Sequence, residues 1–250
     1  MLNYIRADVK RILRRSSHLV PMLLAFIIFA CTLYFPNRNT QVTAVTLVTS
    51  ACSVLDWLVI FVGLFEMIAV FAEDFKVKTM QVAIGLGISR NKVVLCKLLE
   101  VAVLLALDCI VMTLLTMGLG AVMGTSISFV VLKDLIFTLL IKCLLAQVVA
   151  VSLTMIVLFV TQSTILSIFV YVFVAAGTVN MLLSVMPLFG MNALEGLNLH
   201  RLTLSYLVGS FHTRILLGTF EITSFVGILI YLGAGIFTTC KLFGKRELDF

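Results

Sequence analysis

The sequence predicts an all-α, polytopic membrane protein with six transmembrane helices, and its composition gives the first reason. Of the 250 residues, 62% are apolar and 12% are charged, whereas soluble globular chains have roughly 45–50% and 25%. A soluble domain of this length needs polar side chains over most of its exterior. The chain has too few charges for that, so its exterior is expected to contact lipid.

Apolar windows of membrane-spanning length give the second reason. A bilayer core of about 30 Å requires roughly 20 apolar residues in a helix. Six such windows occur along the chain, at about 19–35, 51–72, 99–123, 135–160, 164–186 and 219–242. No linker or internal repeat separates them, so residues 1–250 are predicted to form a single transmembrane domain.

The distribution of basic residues gives the third reason and predicts the orientation. Three segments are rich in them: Arg6, Lys10, Arg11, Arg14 and Arg15; Lys76, Lys78, Arg90, Lys92 and Lys97; Lys241, Lys245 and Arg246. The opposite side carries fewer: Arg38, Lys133, Arg201 and Arg214. Because cytoplasmic loops are enriched in Lys and Arg, both termini and residues 73–98 are predicted to be cytoplasmic, with the chain in the plasma membrane. The net charge of +6 then requires no nucleic-acid partner.

Residues 1–17 predict an amphipathic helix that lies in the membrane interface. One helical stripe is apolar, and it consists of Leu2, Ile5, Val9, Ile12 and Leu13. The other face carries most of the basic residues of this segment. Such a helix either shapes the cytoplasmic entry of the first span or serves as a plain charge anchor on anionic lipid.

Residues 73–98 predict two short helices. An apolar stripe at helical spacing runs through Phe75, Val77, Met80, Ala83 and Ile84, and Gly85-Leu86-Gly87 ends this first helix. Ser89 is placed to cap a second helix that continues into the third span. A short apolar helix at the cytoplasmic face suits the docking of a partner, because little of its own domain is available to bury its stripe. An ordinary basic loop is the alternative.

Residues 187–218 remain apolar but are interrupted by glycines. On the extracellular side such a segment predicts short re-entrant or interfacial helices. It contains Glu195, His200 and His212, whose spacing fits no pattern of metal ligands. No metal site and no catalytic site are predicted here or elsewhere in the chain.

Small residues predict close helix packing in three of the spans. They occur as Gly120-x-x-x-Gly124, as Ala175-Ala176-Gly177, and as Gly227 with Gly233-x-Gly235. Such residues let two helix backbones approach each other. The contact could be within the chain or with another subunit.

Five polar residues fall inside the apolar windows: Asp56, Glu66, Asp108, Lys142 and Gln147. A charge there costs roughly 2.5–3.5 kcal/mol or more, so each is expected to face protein or a water-filled cavity. Depth counting separates Asp56 from Lys142 by only about 6 Å along the membrane normal. We therefore predict that these two residues form an ion pair. A proton relay through Glu66, Asp108 and Lys142, as in an ion-coupled secondary transporter, is the alternative to a structural role.

Two stretches of the chain resemble the type-2 (exporter-class) permeases of ATP-binding-cassette (ABC) transporters. The first comprises Glu73-Asp74-Phe75, Thr79-Met80, Gly87-Ile88-Ser89-Arg90, Lys92 and Lys97-Leu98-Leu99. The second is the basic and aromatic ending, Phe237 and Lys241-Leu242-Phe243-Gly244-Lys245-Arg246-Glu247-Leu248. Lys78 stands where the family often has a glycine before the threonine, and Gly87 stands where it often has a proline. The bend of the helix is therefore not carried over from the family.

The resemblance implies a permease subunit that couples to a separate cytoplasmic ABC ATPase. The residues carried over to the coupling site are Asp74, Phe75, Lys76, Lys78, Thr79, Met80, Ala83, Arg90 and Lys92. The family's working unit implies a second permease half, in a homodimer or a heterodimer. The cargo would be amphiphilic, such as an antimicrobial or cytolytic peptide, or a drug.

Sequence motifs also limit the chemistry that we expect of the chain. The 250 residues contain no G-x-x-x-x-G-K-S/T loop, which is the motif that grips ATP phosphates. We therefore expect this subunit not to be an enzyme and to hold no cofactor, with ATP and Mg²⁺ bound by the partner ATPase. The motifs of intramembrane and serine hydrolases are also missing from the sequence.

Overall fold

The computed structural model describes residues 2–37, 43–76, 79–85, 87–185 and 199–245. These residues contain helices and no strand, which confirms the all-α prediction. The α-helices are α1 (Leu2–Ile12), α2 (Ser16–Asn37), α3 (Ala44–Lys76), α4 (Thr79–Gly85), α5 (Arg90–Val122), α6 (Phe129–Thr138), α7 (Ala146–Thr161), α8 (Thr164–Ala175), α9 (Thr178–Val185), α10 (Leu204–Leu216) and α11 (Ile222–Lys245). A π-helical segment, Leu139–Leu145, joins α6 to α7.

Within the described residues, five continuous helical stretches are long and apolar enough to cross a membrane. They are Ser16–Asn37, Ala44–Ala72, Arg90–Val122, Phe129–Thr161 and Ile222–Lys245. Each overlaps one of the predicted windows. The described part of the chain is therefore all-helical, with several apolar helices that are consistent with a multi-pass membrane protein.

The fifth predicted window, at 164–186, is not one continuous helix. It consists of α8 and α9, which are bent by 57° relative to each other. The bend lies at Gly177, whose φ of +66° is in the left-handed region that favours glycine. A side chain there is also blocked, because a Cβ would lie 2.7 Å from Ser205 Oγ. Among the residues that the structure describes, a sixth crossing requires that this bent pair be counted as one span.

The described part of the 187–218 segment packs along the last span. It contains a 3₁₀ turn at Leu199–Leu202 and then α10. The Tyr231 hydroxyl on α11 donates to the carbonyl of Leu202 at 2.8 Å, and the Ser210 hydroxyl donates to Glu221 at 2.6 Å. Since Tyr231 lies well inside α11 and Glu221 directly precedes it, α10 runs beside the first half of α11. Glu195 lies outside the described residues.

Two sets of helix contacts organise the bundle, those of α3 and that between α7 and α11. α3 packs against α2, α5, α6 and α8, and α7 packs closely against α11. Gly235 makes the second contact possible, because a Cβ at this position would lie 2.9 Å from the backbone carbon and oxygen of Ser152. At least this one of the predicted small residues therefore serves packing within the chain.

The amino-terminal helix α1 contacts the protein core. Val9 and Ile12 are buried in the main apolar cluster, whereas Arg6 and Lys10 are exposed. The apolar stripe that the sequence predicted for the membrane interface thus faces protein at these two positions. α1, α4 and the last turn of α11 all lie at one end of the bundle, which we call the basic end.

Candidate functional site

A cluster of five charged residues joins three helices at the basic end. Lys97 on α5 is 0% exposed and forms ion pairs with Asp8 on α1, with Asp74 on α3, and with Glu100 at 2.8 Å. Arg11 on α1 contacts Asp8 and also Asp74, at 3.0 Å. We call Asp8, Arg11, Asp74, Lys97 and Glu100 the charge clamp. It fixes the start of the chain to the two helices that flank α4.

Arg90, the first residue of α5, binds the end of α11. Its Nη1 donates to the carbonyls of Phe243 and Gly244, at 3.0 and 3.2 Å. These carbonyls belong to the last turn of a helix, where a cation is favourable. The guanidinium also lies 5.8 Å from the Phe243 ring, which packs against Phe159 of α7 at a centroid distance of 4.7 Å.

The short helix α4 lies between the clamped ends of α3 and α5. Met80 is 5% exposed and packs into the main apolar core together with Ile84. On the other face, Val82 is 61% exposed. The expectation that the apolar stripe of this helix has little of its own domain to bury into is therefore wrong for Met80 and Ile84. The helix instead packs against the apolar core with one face and exposes Val82 on the other.

The structure shows the predicted coupling residues in different environments. Asp74 belongs to the charge clamp, Arg90 binds the end of α11, Met80 is buried and Lys92 is exposed. Four others lie in helices but their side chains are outside the described residues: Phe75, Lys76, Thr79 and Ala83. Lys78 is entirely outside the described residues. Ser89 precedes α5 as predicted, but its side chain makes no capping hydrogen bond.

Most of the charge clamp is not evident from the sequence. The sequence predicts Arg11 and Lys97 to be cytoplasmic charges, Lys97 also belongs to the stretch that resembles the ABC permeases, and no role is predicted for Asp8 or Glu100. The spacing of Lys97 and Glu100, three residues apart at the border of an apolar window, was the available signal. Opposite charges at this spacing share one helix face, and that face proves to be buried.

The second polar site is built around Asp56 and Lys142. These two residues form an ion pair in the structure, as predicted. The Asp56 side chain is 56% exposed and that of Lys142 is 25% exposed. Lys142 lies in the π-helical segment, and such interruptions of an α-helix are frequent at functional sites. The pair borders a cavity of about 260 Å³ that Gln147 also lines.

Hydrogen bonds hold Gln147 beside this pair. Its Nε2 donates to the Lys142 carbonyl at 3.1 Å, and its Oε1 accepts from the buried Tyr171 hydroxyl at 2.5 Å. Gly63 allows the contact, since a Cβ there would lie 2.2 Å from Tyr171 Oη. Three of the predicted polar residues, Asp56, Lys142 and Gln147, therefore lie together. An ion pair and hydrogen bonds connect the helical elements that carry them.

His212, which is buried on α10, is a further polar residue near the pair. Its Nε2 hydrogen bonds with the Thr138 hydroxyl at 2.9 Å. Burial, followed by the positive charge of Lys142, lowers the pKa of His212, against the opposing effects of Asp56 and Asp134. The folded protein therefore favours the neutral imidazole.

The lowered pKa of His212 predicts that the protein loses stability in mild acid. The unfolded chain takes up a proton as the pH falls below about 6.5, before the folded protein does. Stability is thus full above that pH and falls below it. We expect the thermal unfolding midpoint in detergent to drop between about pH 7.5 and about pH 5.5 by more in the wild type than in His212→Gln. An equal drop in both proteins would contradict the prediction.

The remaining predicted polar residues, Glu66 and Asp108, form a third site with His18. His18 Nε2 on α2 lies 2.8 Å from Glu66 Oε1, and the Asp108 carboxyl interacts with Glu66. All three residues are buried. His18 Nδ1, Glu66 Oε2 and Asp108 Oδ2 have no hydrogen-bond partner within the described part of the chain. The sequence did not single out His18, because it precedes the first apolar window.

One face of α3 carries a polar stripe on the surface of the bundle. Thr46, Thr49, Ser53 and Asp56 are all exposed and follow one another at spacings of three and four residues. Thr49 and Ser53 donate to carbonyls one turn earlier, at 2.9 and 3.0 Å, so their hydroxyls need no partner from outside. The stripe still places the Asp56 carboxylate on the surface, where contact with lipid is unfavourable.

Comparison with known proteins adds no family assignment to this geometry. No family model matches the chain, and no curated protein matches it significantly.

Proposed function

We propose that this chain is the transmembrane permease subunit of an ATP-driven exporter. It would form the translocation pathway for an amphiphilic substrate together with a second permease half, either another copy or a related chain. ATP would be hydrolysed by a separate ABC ATPase at the cytoplasmic face. In this orientation the basic end faces the cytoplasm, both termini are cytoplasmic, and the bent pair α8–α9 counts as the fifth of six crossings.

The placement of α4 is the observation that carries the proposal. α4 exposes Val82 while Met80 and Ile84 anchor it in the core. The helices on either side of it, α3 and α5, are joined through Asp74 and Lys97. A displacement of α4 by a partner bound at its exposed face would therefore also displace the spans, because α4 is packed against the core and does not belong to a flexible loop.

The mechanism follows from the residues that brace α4. Closure of an ATPase pair would displace α4, and the charge clamp would move α1, α3 and α5 with it. Arg90 would transmit the same motion to the end of α11, to which it is hydrogen-bonded. A coordinated tilt of these helices is the kind of change that converts an inward-open cavity to an outward-open one.

The polar stripe of α3 supports a pathway at the surface of this subunit. The Asp56 carboxylate is costly against lipid, and together with the neighbouring hydroxyls it suits a water-filled path. A second permease half packed across this face would enclose the stripe between two subunits. The same arrangement explains why Asp56 is 56% exposed inside an apolar span.

The proposal predicts that a charge at Val82 uncouples the permease from its ATPase. We expect Val82→Glu to reduce both co-purification of the ATPase and ATP-dependent transport by at least about tenfold, the size of effect seen at an interface hot spot. The matched control is Val122→Glu, because Val122 is 76% exposed at the other end of α5. The control should retain both properties.

Deletion of residues 75–86 provides the stricter test of the same proposal. If the ATPase still co-purifies and ATP-dependent transport continues without this segment, the chain is not an ABC permease of the proposed kind. Size-exclusion profiles of the deletion protein and of Val82→Glu must match the wild type, so that misfolding is separated from uncoupling.

An ion-coupled secondary transporter is the second candidate function, and the third polar site favours it. Glu66 and Asp108 are adjacent buried carboxyls, and His18 borders a cavity of about 150 Å³ that Arg15 also lines. Lys142 pairs with Asp56 instead, so a relay through Lys142 has no support from its contacts. This candidate predicts transport that a protonophore abolishes and that ATP depletion at constant proton gradient leaves unchanged.

A further inference from the structure

The cavity beside Asp56 is formed where five elements meet. Its lining includes Asp56 and Val59 from α3, Lys142 and Gln147 from the π-helical segment and α7, Val174 from α8, and Val208 from α10. The two charged side chains lie on one wall, and aliphatic side chains line most of the rest. The cavity is thus an apolar recess with one ion pair in it.

The volume of the cavity sets the size of what it can hold. Sites for drug-sized ligands occupy roughly 300–1,000 Å³, and this one measures about 260 Å³. It suits the head group of an amphiphile better than a whole molecule. The exposure of Asp56 shows that the recess is open, so an alkyl chain can extend from it along the apolar surface.

The ion pair determines which head groups fit without an energetic penalty. A cationic head at Asp56 or an anionic head at Lys142 adds a net charge to a recess whose lining is mostly aliphatic. Moving a net charge out of water into such a place is unfavourable. A zwitterionic head adds no net charge, because its cation contacts Asp56 while its anion contacts Lys142.

We propose that this cavity binds the zwitterionic head group of an amphiphile, its ammonium at Asp56 and its carboxylate or phosphate at Lys142. Gln147 sets the position of Lys142, since its amide donates to the Lys142 carbonyl while Tyr171 holds the other end of the amide. Both amide ends of Gln147 are therefore engaged, and head-group selection rests on the ion pair.

The bound amphiphile is cargo only if the chain is the exporter subunit proposed above, so this part of the inference rests on the proposed function. The binding itself needs neither an ATPase nor ATP. A binding assay on the purified chain therefore fails or succeeds separately from the tests at Val82. If the zwitterion binds and Val82→Glu has no effect on transport, only the exporter proposal is contradicted.

The experiment uses three probes whose chains contain eight carbons: octyl dimethylglycine betaine, octanoate and octyltrimethylammonium. Binding to the full chain in an uncharged maltoside detergent is followed by the fluorescence of Trp57, the one tryptophan of the sequence. Trp57 follows Asp56 in α3 and is suited to report a change beside it. We expect the betaine to bind about tenfold more tightly than either charged probe, since each charged probe adds a net charge to the cavity.

Charge variants then reverse the preference in opposite directions. The Asp56→Asn variant should bind octanoate about tenfold more tightly than octyltrimethylammonium. The Lys142→Gln variant should bind octyltrimethylammonium more tightly than octanoate by a similar factor. The double variant Asp56→Lys with Lys142→Asp keeps an ion pair and should keep the preference for the betaine. Glu221→Gln is the matched control, because its pair with Arg214 lies outside the cavity.

Nanodiscs distinguish a lipid head group from a free zwitterion as the source. If phosphatidylethanolamine occupies the cavity, discs that contain it weaken betaine binding relative to discs of phosphatidylglycerol alone. Equal betaine affinity in both discs assigns the site to a free zwitterionic amphiphile.

Equal affinity of the wild type for all three probes overturns the proposal, as does an unchanged order of affinities in both single variants. If the single variants do not fold, loss of betaine preference in the folded double variant overturns it.

Discussion

Replacement of Lys97 by methionine is expected to lower the free energy of unfolding by about 3–5 kcal/mol, the cost of removing one partner from a buried ion pair. Lys97 is fully buried and contacts Asp8, Asp74 and Glu100. Methionine preserves most of the side-chain volume and removes the charge. Glu100 then loses this ion-pair partner inside the protein, and the other two carboxylates lose one of their cations.

The matched control for this prediction is Lys92→Met on the same helix. Lys92 is exposed, and exposed charges typically contribute less than about 1 kcal/mol. Equilibrium unfolding of both variants in detergent, followed by circular dichroism, gives the two free energies. A loss of less than about 1 kcal/mol in Lys97→Met would show that the clamp contributes little to stability.

Gly235→Ala is expected to destabilise the protein by about 1–3 kcal/mol, as overpacking of a tight contact does. The added Cβ would meet Ser152 Oγ at 2.6 Å and the Ser152 backbone at 2.9 Å. A rotamer change can move the hydroxyl but not the backbone atoms, so α7 and α11 must separate. These two helices form a main contact of the bundle.

Gly233→Ala on the same helix shows what this substitution does without a clash. A Cβ at Gly233 meets nothing within 4 Å, so the change should be neutral or stabilise α11 by up to about 1 kcal/mol through helix propensity. The difference between the two variants isolates the packing contact. Equal unfolding midpoints for both would mean that α7 and α11 tolerate a wider separation.

Long-range patterns in the sequence predicted the spans and one ion pair. Hydropathy is a property of about 20 consecutive residues, and it located all five continuous spans, although the helices Ala44–Ala72, Arg90–Val122 and Phe129–Thr161 start six to nine residues before the predicted windows. Depth counting paired Asp56 with Lys142, because both lie in helical stretches of membrane-spanning length, even though Lys142 itself falls in the π-helical segment. These predictions succeeded where the geometry of a straight helix was sufficient.

The clamp and the bend could not be predicted in this way. A buried lysine at the end of a span has the same sequence signature as a cytoplasmic one, and only the positions of Asp8 and Asp74 distinguish them. The bend at Gly177 depends on one left-handed residue and on Ser205, which is 28 positions later in the sequence. A hydropathy window averages over such a point and shows one uninterrupted span.

The charge clamp also sets an order of events during synthesis. Asp8 and Lys97 are 89 positions apart, so the first helix leaves the ribosome well before the residue that locks it. At roughly 5–20 residues per second, several seconds or more separate the synthesis of α1 from that of Lys97, and α2 and α3 are made in between. Helix α1 is therefore fastened only after these two helices exist, and nascent chains that stop before residue 97 should leave it open to proteases.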